Sequence, residues 1–181
     1  MSESKSQPVT LADTAPTDSV FVWERRVEFS ETDAAGICHF SAFFIFMEQA
    51  EHAMFRSLGW SIFPSKFHGV VDPQPPSANS AADESATLSW PRVHCSCDFL
   101  SPARFEDVLS IDIGIDRLGT KSIAYQHTIR CGDRILARGK VITVCSRIDP
   151  NSGQLIGWPI PPTIRAGLEQ MRSNLKPASE S

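Results

Sequence analysis

The sequence predicts an α+β fold in which one curved antiparallel sheet wraps around a single long, buried helix. Three observations support this prediction. Residues 20–29 are rich in β-branched and aromatic side chains, a composition typical of a strand. Residues 41–58 carry apolar side chains at helical spacing, and the region 93–145 contains four segments in which apolar and polar residues alternate. Because short turns join these four segments, we expect antiparallel hairpins beside the first strand.

The first strand is expected over residues 20–29, with the sequence Val-Phe-Val-Trp-Glu-Arg-Arg-Val-Glu-Phe. Residues 1–18 precede it, are rich in Ser, Thr and Asp, and lack a run of apolar residues. A segment of that composition buries too little apolar surface to become ordered. We therefore expect a disordered tail over 1–18 and a single domain over 19–165.

The long helix is predicted over residues 41–58. Its apolar side chains form an arc that is broader than the stripe of an ordinary surface helix, which indicates that the helix is largely buried. Ser41 is expected to be the N-cap, because its hydroxyl can accept a hydrogen bond from a free N–H group of the first turn. One face of this helix consists of Phe43, Met47, Ala50, Met54 and Leu58.

Residues 72–86 contain three prolines and no hydrophobic period, so a mobile surface loop is expected there. Because this loop follows the buried helix, an active-site lid is one function that its position allows. Residues 161–174 begin with two prolines and are expected to form a short C-terminal helix, followed by a tail over 175–181.

Each of the four alternating segments presents one apolar face, and we expect that face to cover the helix. Turn residues separate the segments at 101–102, 118–119 and 131–133. The expected inward-facing sets are Val93, Cys95, Cys97 and Phe99; Leu109, Ile111, Ile113 and Ile115; Ile123, Tyr125, His127 and Ile129; and Ile135, Ala137, Val141 and Cys145.

Composition and charge disfavour several classes of function. The formal net charge is -4 and the basic residues are scattered, so the chain lacks the electrostatic footprint of a nucleic-acid-binding protein. No apolar run approaches the length of a membrane span, and no secretory signal is visible. We therefore expect a cytoplasmic protein without a nucleic-acid or membrane partner.

The cysteines and histidines do not have the spacing of a metal site, because Cys-x-x-Cys pairs and histidines at i, i+4 are absent from the sequence. Neither a metal nor another cofactor is expected. Cys95 and Cys97 fall on one face of a predicted strand, and five cysteines are an odd number for a disulfide framework. We expect both to be small apolar core residues in a reducing compartment.

Asp33 is the acidic residue with the clearest potential for chemistry. It lies in a loop of small residues between the first strand and the long helix, and Gly36 allows that loop to turn sharply. A carboxylate there would lie near the free N–H groups of the helix start, which stabilise anions and developing oxyanions. The alternative is that Asp33 only caps the loop or the helix, as Asp often does.

The segment around Asp33 resembles the hotdog-fold acyl-CoA thioesterases, in particular the 4-hydroxybenzoyl-CoA thioesterase group. That group has a strand, an Asp-x-x-Gly loop, a hydrophobic pair and an aromatic-rich helix that contains a Glu. The resemblance covers roughly residues 20–165. It rests on residues 31–38, then Phe43, Phe46, Met47 and Glu48, and on the later landmarks Trp90-Pro91-Arg92-Val93, 97–103, Gly119-Thr120-Lys121-Ser122 and Pro159-Ile160-Pro161.

The resemblance implies an acyl-CoA thioesterase that hydrolyses a thioester to a free acid and CoA. Asp33 would act as a general base for water or as a nucleophile that forms an anhydride, and the backbone N–H of Phe40 would hold the oxyanion. Glu48 is the reserve base or nucleophile, because in another branch of the fold the catalytic carboxylate lies on this helix. His39 would assist proton transfer or be a solvated loop histidine. Glu51 falls where many members have Arg, and it would line the pocket, make a buried hydrogen bond or face a partner subunit.

Lys121 and Ser122 match a Lys-Ser pair that lies beside the CoA phosphates in the benzoyl-CoA enzyme, and Arg117 would add a second cation. The family forms dimers through sheet edges, with acyl-CoA sites at the subunit interface, and often assembles into tetramers. An open edge strand is an independent reason to expect a homo-oligomer. Two alternative functions stay open: hydrolysis of an acyl group on acyl carrier protein, and acyl-CoA binding without catalysis.

Overall fold

The computed structural model describes residues 21–62, 88–149 and 152–173. The predicted tails over 1–18 and 175–181 and the predicted loop over 72–86 lie outside the described residues. A 3-10 turn, Phe29–Glu31, follows the first strand. The described helices and strands are β1 (Phe21–Arg26), α1 (Phe40–Ser57), β2 (Leu88–Ser89), β3 (Arg92–Phe99), β4 (Val108–Leu118), β5 (Ser122–Cys131), β6 (Arg134–Val144), β7 (Ser146–Ile148), β8 (Leu155–Gly157) and α2 (Pro162–Ser173).

Five of these strands form one antiparallel sheet in the order β1-β4-β5-β6-β3. Its centre consists of the predicted hairpins, because β4, β5 and β6 pair with their neighbours in the chain. Ile113 lies opposite His127, and Tyr125 lies opposite Val141. β1 pairs only with β4 and β3 only with β6, so these two strands are the edges of the described sheet.

The helix α1 lies against this sheet and contacts β1, β3 and β4. Phe46, Met47, Ala50 and Met54 are fully buried in the same hydrophobic core as the inward-facing side chains of β4 and β5. The Met47 side chain of α1 packs tightly against Gly139 of β6, where an added Cβ would lie 2.1 Å from the Met47 sulfur. The prediction of one sheet around one buried helix is confirmed.

A second sheet of three short strands, in the order β2-β7-β8, was not predicted. Its strands contain two or three residues each, which is too few for an alternating pattern to be recognised. The helix α2 follows within the range where a C-terminal helix is expected, and its Arg165 donates a hydrogen bond to the carbonyl oxygen of Gly119. Neither described helix is long and apolar enough to cross a membrane.

The predicted apolar face of β3 does not enter the core of the single chain. Val93 is 61% exposed and Phe99 is 49% exposed, and Cys95 is exposed as well. The prediction that Cys95 is a core residue is therefore wrong for the single chain, whereas Cys97 is half-buried against the core. Alternation identifies residues that share a face, but it does not show whether another element covers that face at an edge strand. All five cysteines are free.

The N-cap of α1 lies two residues earlier than predicted. His39, not Ser41, is the N-cap: its backbone is extended, with φ -62° and ψ 138°, and its ring nitrogen Nδ1 accepts a hydrogen bond from the N–H of Ser41. An imidazole nitrogen can replace the hydroxyl or carboxylate oxygen of an ordinary cap because it also accepts a hydrogen bond. The helix therefore begins at Phe40.

Candidate active site

The loop between β1 and α1 is closed by hydrogen bonds between its two ends. Thr32 and Cys38 form an isolated β-bridge, and the N–H of Asp33 donates to the carbonyl oxygen of Ile37 at 2.9 Å. Gly36 turns the chain with φ 71° and donates to the carbonyl oxygen of Asp33 at 3.0 Å. This tight turn holds Asp33 beside the segment that leads into α1.

The Asp33 carboxylate is half-buried, and its two oxygens have different surroundings. Oδ1 accepts hydrogen bonds from the N–H of Ala35 at 2.8 Å and, at longer range, from the N–H of Ile37 at 3.5 Å. Oδ2 accepts none from the described part of the chain. The residue thus makes the loop-capping contact that the alternative interpretation requires, and it keeps one oxygen for a water molecule or a substrate carbonyl.

The start of α1 supplies a hydrogen-bond donor. Phe40 is the first helical residue, and its N–H has no acceptor among the residues that the structure describes. The first N–H groups of a helix have no partner inside the helix and lie at its positive end. The Phe40 N–H therefore has the chemistry that an oxyanion requires.

His39 is engaged in capping the helix. Its Nδ1 accepts from the N–H of Ser41 at 3.4 Å and lies 2.7 Å from the Ser41 hydroxyl oxygen. Since Nδ1 acts as an acceptor, the neutral ring carries its proton on Nε2. Only Nε2 is left for the proton transfer considered for this residue.

Arg25 and Glu31, for which no role was predicted from the sequence, hold the Asp33 loop. Arg25 donates to both carboxylate oxygens of Glu31 at 2.6 Å and to the amide oxygen of Gln49 at 2.8 Å. The sequence contains a signal for this contact, because Arg25 alternates with Phe21 and Trp23 on the less exposed face of β1. A cation at such a position requires a partner.

Glu48, the reserve catalytic residue, lies away from the Asp33 loop. It comes eight residues after Phe40, which corresponds to about 12 Å along the helix axis. Arg92 at the start of β3 contacts Glu48 at 2.8 Å and Glu51 at 3.0 Å. The two glutamates therefore form an ion-pair cluster with Arg92, and the structure does not bring Glu48 together with Asp33.

Lys121, Ser122 and Arg117 lie around the turn between β4 and β5. The ammonium group of Lys121 is exposed and donates to the carbonyl oxygen of Gly157 at 2.9 Å, and the N–H of Gly119 closes the turn by donating to the carbonyl oxygen of Ser122 at 2.8 Å. Arg117 is exposed. A lysine ammonium has three donors, so Lys121 keeps two of them for a phosphate.

A cavity of about 440 Å³ lies between β1 and α1, and it is lined by Trp23, Arg25, Arg26, Glu28, Gln49, His52 and Arg56. Neither Asp33 nor Phe40 contributes to its lining. In the described residues this cavity is thus a separate opening next to Arg25, and it does not enclose the Asp33 carboxylate.

Cys38 lies between Asp33 and the helix, but its thiol is unsuited to nucleophilic attack. Burial, with Glu31 as the next contribution, raises the pKa of this thiol to about 11. The thiol therefore stays protonated at neutral pH, and the thiolate is the reactive form. Within the described ranges, no three His, Cys, Asp or Glu side chains are grouped so that they could hold a metal ion.

The chain belongs to the thioesterase superfamily, since the model of that family matches residues 35–138. The match begins two residues after Asp33, so it covers the helix and most of the central sheet but not the candidate catalytic residue itself.

Individual relatives agree with this family. The 1,4-dihydroxy-2-naphthoyl-CoA hydrolase of Prochlorococcus marinus (strain MIT 9313) is 28% identical over 120 residues, which cover 65% of this chain and 71% of the relative. The acyl-CoA thioester hydrolase YbgC of Escherichia coli O6:H1 is 25% identical over 133 residues, which cover 73% of this chain and 84% of the relative.

A solved structure shows the same fold. Slr0204, a 1,4-dihydroxy-2-naphthoyl-CoA thioesterase from Synechocystis, superposes with a TM-score of 0.65 at 21% identity and covers 84% of this chain and 97% of that chain. The predictions of a hotdog fold and of a thioester hydrolase are confirmed by these findings together with the family match.

Proposed function

We propose that this protein is an acyl-CoA thioesterase in which Asp33 activates water or attacks the thioester carbonyl. One observation carries the proposal. A carboxylate oxygen that accepts no hydrogen bond from the described residues lies in a loop leading to the unpaired N–H of Phe40. An anionic base or nucleophile and an oxyanion donor are the two groups that thioester hydrolysis requires.

The general-base route begins with Oδ2 of Asp33 taking a proton from a water molecule. The water oxygen then forms a bond to the thioester carbonyl carbon, and the negative charge moves to the carbonyl oxygen, where the N–H of Phe40 stabilises it. When the carbonyl re-forms, the C–S bond breaks and CoA leaves as a thiolate, which takes up the proton that Asp33 removed from water and so restores the carboxylate. The products are a free acid and CoA.

The nucleophilic route differs in its first step. Oδ2 of Asp33 itself attacks the carbonyl carbon, CoA leaves, and a mixed anhydride between the acyl group and the enzyme remains. Water then hydrolyses the anhydride and restores the carboxylate. The same oxyanion donor serves both routes, and the position of Asp33 is compatible with either.

The turn between β4 and β5 is the proposed site for the CoA phosphates. Lys121 and Arg117 are exposed cations there, and the hydroxyl of Ser122 is a further donor. Cations with several donors suit phosphate oxygens. The carbonyl oxygen of Gly157 orients the Lys121 ammonium, which leaves two N–H groups directed away from that contact.

The names of the relatives suggest which acyl groups to test first as substrates. The relative from Prochlorococcus is named for an aromatic acyl-CoA, and YbgC is named for acyl-CoA in general. We therefore propose an acyl-CoA substrate and place aromatic acyl-CoA esters first in the panel to be assayed. The five free cysteines favour a reducing compartment such as the cytoplasm.

The substitution Asp33→Asn tests the proposal. It keeps the size and the loop-capping oxygen of the side chain but removes the charge, so kcat should fall by roughly 10²- to 10⁴-fold. Release of free CoA thiol from aromatic, short and long acyl-CoA esters is the measurement. The matched control is Asp133→Asn, an exposed Asp in the turn between β5 and β6, which should keep wild-type activity. Near-full turnover by Asp33→Asn would show that this assignment is wrong.

The same assay separates the alternative functions. An acyl-CoA-binding protein without catalysis would bind acyl-CoA tightly and release no thiol from any ester of the panel. A thioesterase for acyl carrier protein would release the acyl group from the holo carrier protein with a higher kcat/KM than from CoA. Our proposal requires the opposite preference, because it places the nucleotide phosphates at Lys121 and Arg117.

A further inference from the structure

We propose that Arg25 is a positioning residue for catalysis, which acts through Glu31 to hold both Asp33 and the start of α1 in their reactive arrangement. This inference rests on the proposed role of Asp33. It adds a residue of β1 to the site, although Arg25 lies eight residues before Asp33 and makes no contact with the proposed reacting atoms.

The Arg25 side chain is fixed from several directions. One nitrogen donates to both oxygens of Glu31 at 2.6 Å, and the other terminal nitrogen donates to Gln49 of α1 at 2.8 Å. The guanidinium carbon lies 4.0 Å from the centre of the Phe46 ring, and the side chain is only 12% exposed. A planar cation with several donors in fixed directions can make these contacts at once, and a lysine ammonium cannot.

Glu31 transmits this constraint to the loop. Its carboxylate accepts a hydrogen bond from the N–H of Glu28 at 2.8 Å, and its carbonyl oxygen accepts one from the N–H of His39 at 2.7 Å. Glu31 therefore connects the start of the loop, through Glu28, with the N-cap of α1, through His39. Asp33 lies two residues after Glu31, and Phe40 follows His39 directly.

Both proposed reacting groups therefore depend on one guanidinium. Arg25 anchors Glu31 from β1 and also holds α1 through Gln49, so it ties together the strand, the loop and the helix that carry Asp33 and the Phe40 N–H. Catalytic groups must be placed closely, since a displacement of about 1 Å can lower a rate by roughly 10²-fold. Without Arg25 the half-buried carboxylate of Glu31 would lose its charged partner and keep the N–H of Glu28 as a donor, and the loop would be freer to shift.

The first experiment compares Arg25→Ala with Arg26→Ala in thioester hydrolysis. Arg26 is the adjacent arginine on β1, but it is exposed, and within the described ranges its side chain donates to the carbonyl oxygen of Glu106 and to no other acceptor. We expect Arg25→Ala to lower kcat by about 10- to 100-fold, with KM changed by no more than about threefold, because the loop is misplaced while CoA binding is retained. Arg26→Ala should keep the wild-type kcat.

Chemical rescue provides a readout that a merely structural role would not change. Arg25 lines the 440 Å³ cavity between β1 and α1, so a small cation can reach the space that Arg25→Ala vacates. Methylguanidinium at low millimolar concentration should raise the kcat of Arg25→Ala by about fivefold or more, because it can again pair with Glu31. It should not rescue Asp33→Asn or the double variant Arg25→Ala/Glu31→Gln.

Glu31→Gln decides the matter if Arg25→Ala does not fold, because it keeps the size of the side chain and removes only the charge that Arg25 binds. We expect its kcat to fall by about tenfold or more, with KM nearly unchanged. A wild-type kcat for Arg25→Ala or for Glu31→Gln overturns the proposal. A change in KM without a fall in kcat also overturns it, and so does a fall in the kcat of Arg25→Ala that methylguanidinium does not reverse. Turnover by Asp33→Asn would instead overturn the proposed function, so the two failures are distinguishable.

Discussion

Glu51 is a buried carboxyl whose pKa is strongly shifted by its surroundings. It is 2% exposed, and burial raises the pKa of its carboxyl to about 7 although the nearby Arg92 opposes this shift. The buried His127 lies 3.6 Å away, and burial followed by Arg92 lowers the pKa of its ring to about 3. At neutral pH the His127 ring is therefore uncharged, and the Glu51 carboxyl is partly protonated beside Arg92. In its protonated form Glu51 has a proton to direct toward His127 Nε2, which has no hydrogen-bond partner among the described residues.

This pair predicts a pH dependence of stability. Because the pKa of Glu51 is about 7 in the folded state and 4.5 in a free carboxyl, the folded protein binds more protons over that interval, and stability falls as the pH rises through it. Glu51→Gln removes this effect. The free energy of unfolding of the variant relative to the wild type should therefore increase by roughly 3 kcal/mol between pH 4.5 and 7.5.

Urea unfolding of both proteins at several pH values measures this difference. The comparison is needed because His127 has the opposite effect in the wild type, where it makes stability rise between pH 3 and 6.5. Arg92, Glu48 and Tyr125 surround the pair and are present in both proteins. Glu169→Gln, on the exposed face of α2, is the control for the loss of a surface glutamate. A pH-independent difference for Glu51→Gln would contradict the assigned pKa shift.

What the sequence could predict at this scale depended on the distance between contacting residues. The hydrogen bonds of the Asp33 side chain join residues two and four positions apart, Ala35 and Ile37, so its chemistry was visible in a short segment. The partners of Arg25 lie six and 24 residues away. Its role could not be derived before the helix and the strand were placed side by side.

At the scale of elements, the packing of Met47 of α1 against β6 depends on Gly139. A Cβ at this position would lie 2.1 Å from the sulfur and 3.1 Å from the terminal carbon of Met47, which is fully buried. Gly139→Ala should therefore lower the free energy of unfolding by about 1–3 kcal/mol, because overpacking displaces a side chain that has no solvent to move into.

Thermal or urea unfolding measures this loss, and two variants serve as comparisons. Gly157→Ala is the control, because its Cβ would meet its nearest neighbour at an ordinary 3.5 Å, and it should change stability by less than about 0.5 kcal/mol. Replacing Met47 by Ala in the Gly139→Ala background should cost less than the sum of the single changes. Additive effects would show that Met47 does not occupy the space in question.

The predicted strands succeeded or failed according to their place in the sheet. The alternating sets of β4 and β5 are buried because each of these strands has a neighbour on both sides and the helix on one face. The same pattern in β3 was misinterpreted, because β3 is an edge strand and only part of its inward face meets α1. Alternation alone contains no information about strand order, so this distinction needed the assembled sheet.

At the scale of the whole molecule, no described strand pairs with the outer edge of β3. Val93 is 61% exposed and Phe99 49% exposed on this strand, and Phe40 and Ile45 of α1 are exposed large apolar residues as well. An apolar edge strand with free backbone groups is a site for pairing with another chain. We infer that two copies join at β3 and that the faces left open in one chain are covered by the other.

The substitution Val93→Lys tests this inference, because it places a charge in the middle of the proposed contact. The wild-type protein should sediment as a dimer or a larger assembly at micromolar concentration, and Val93→Lys should shift it toward the monomer. Val22→Lys is the matched control: Val22 is a 50% exposed valine on the opposite edge strand, β1, and its replacement should leave the dimer intact.

Activity provides the second measurement, because the site that the family resemblance places at the subunit interface would require the dimer. The specific activity of Val93→Lys should fall on dilution in parallel with its mass, while that of Val22→Lys stays constant over the same range. The fraction of protein in the dimer depends on the protomer concentration, so the specific activity of an obligate dimer falls on dilution. The specific activity of an independent monomer does not change with concentration. A monomeric wild-type protein with full activity would show that the exposed face of β3 has another purpose and that Asp33 works within one chain.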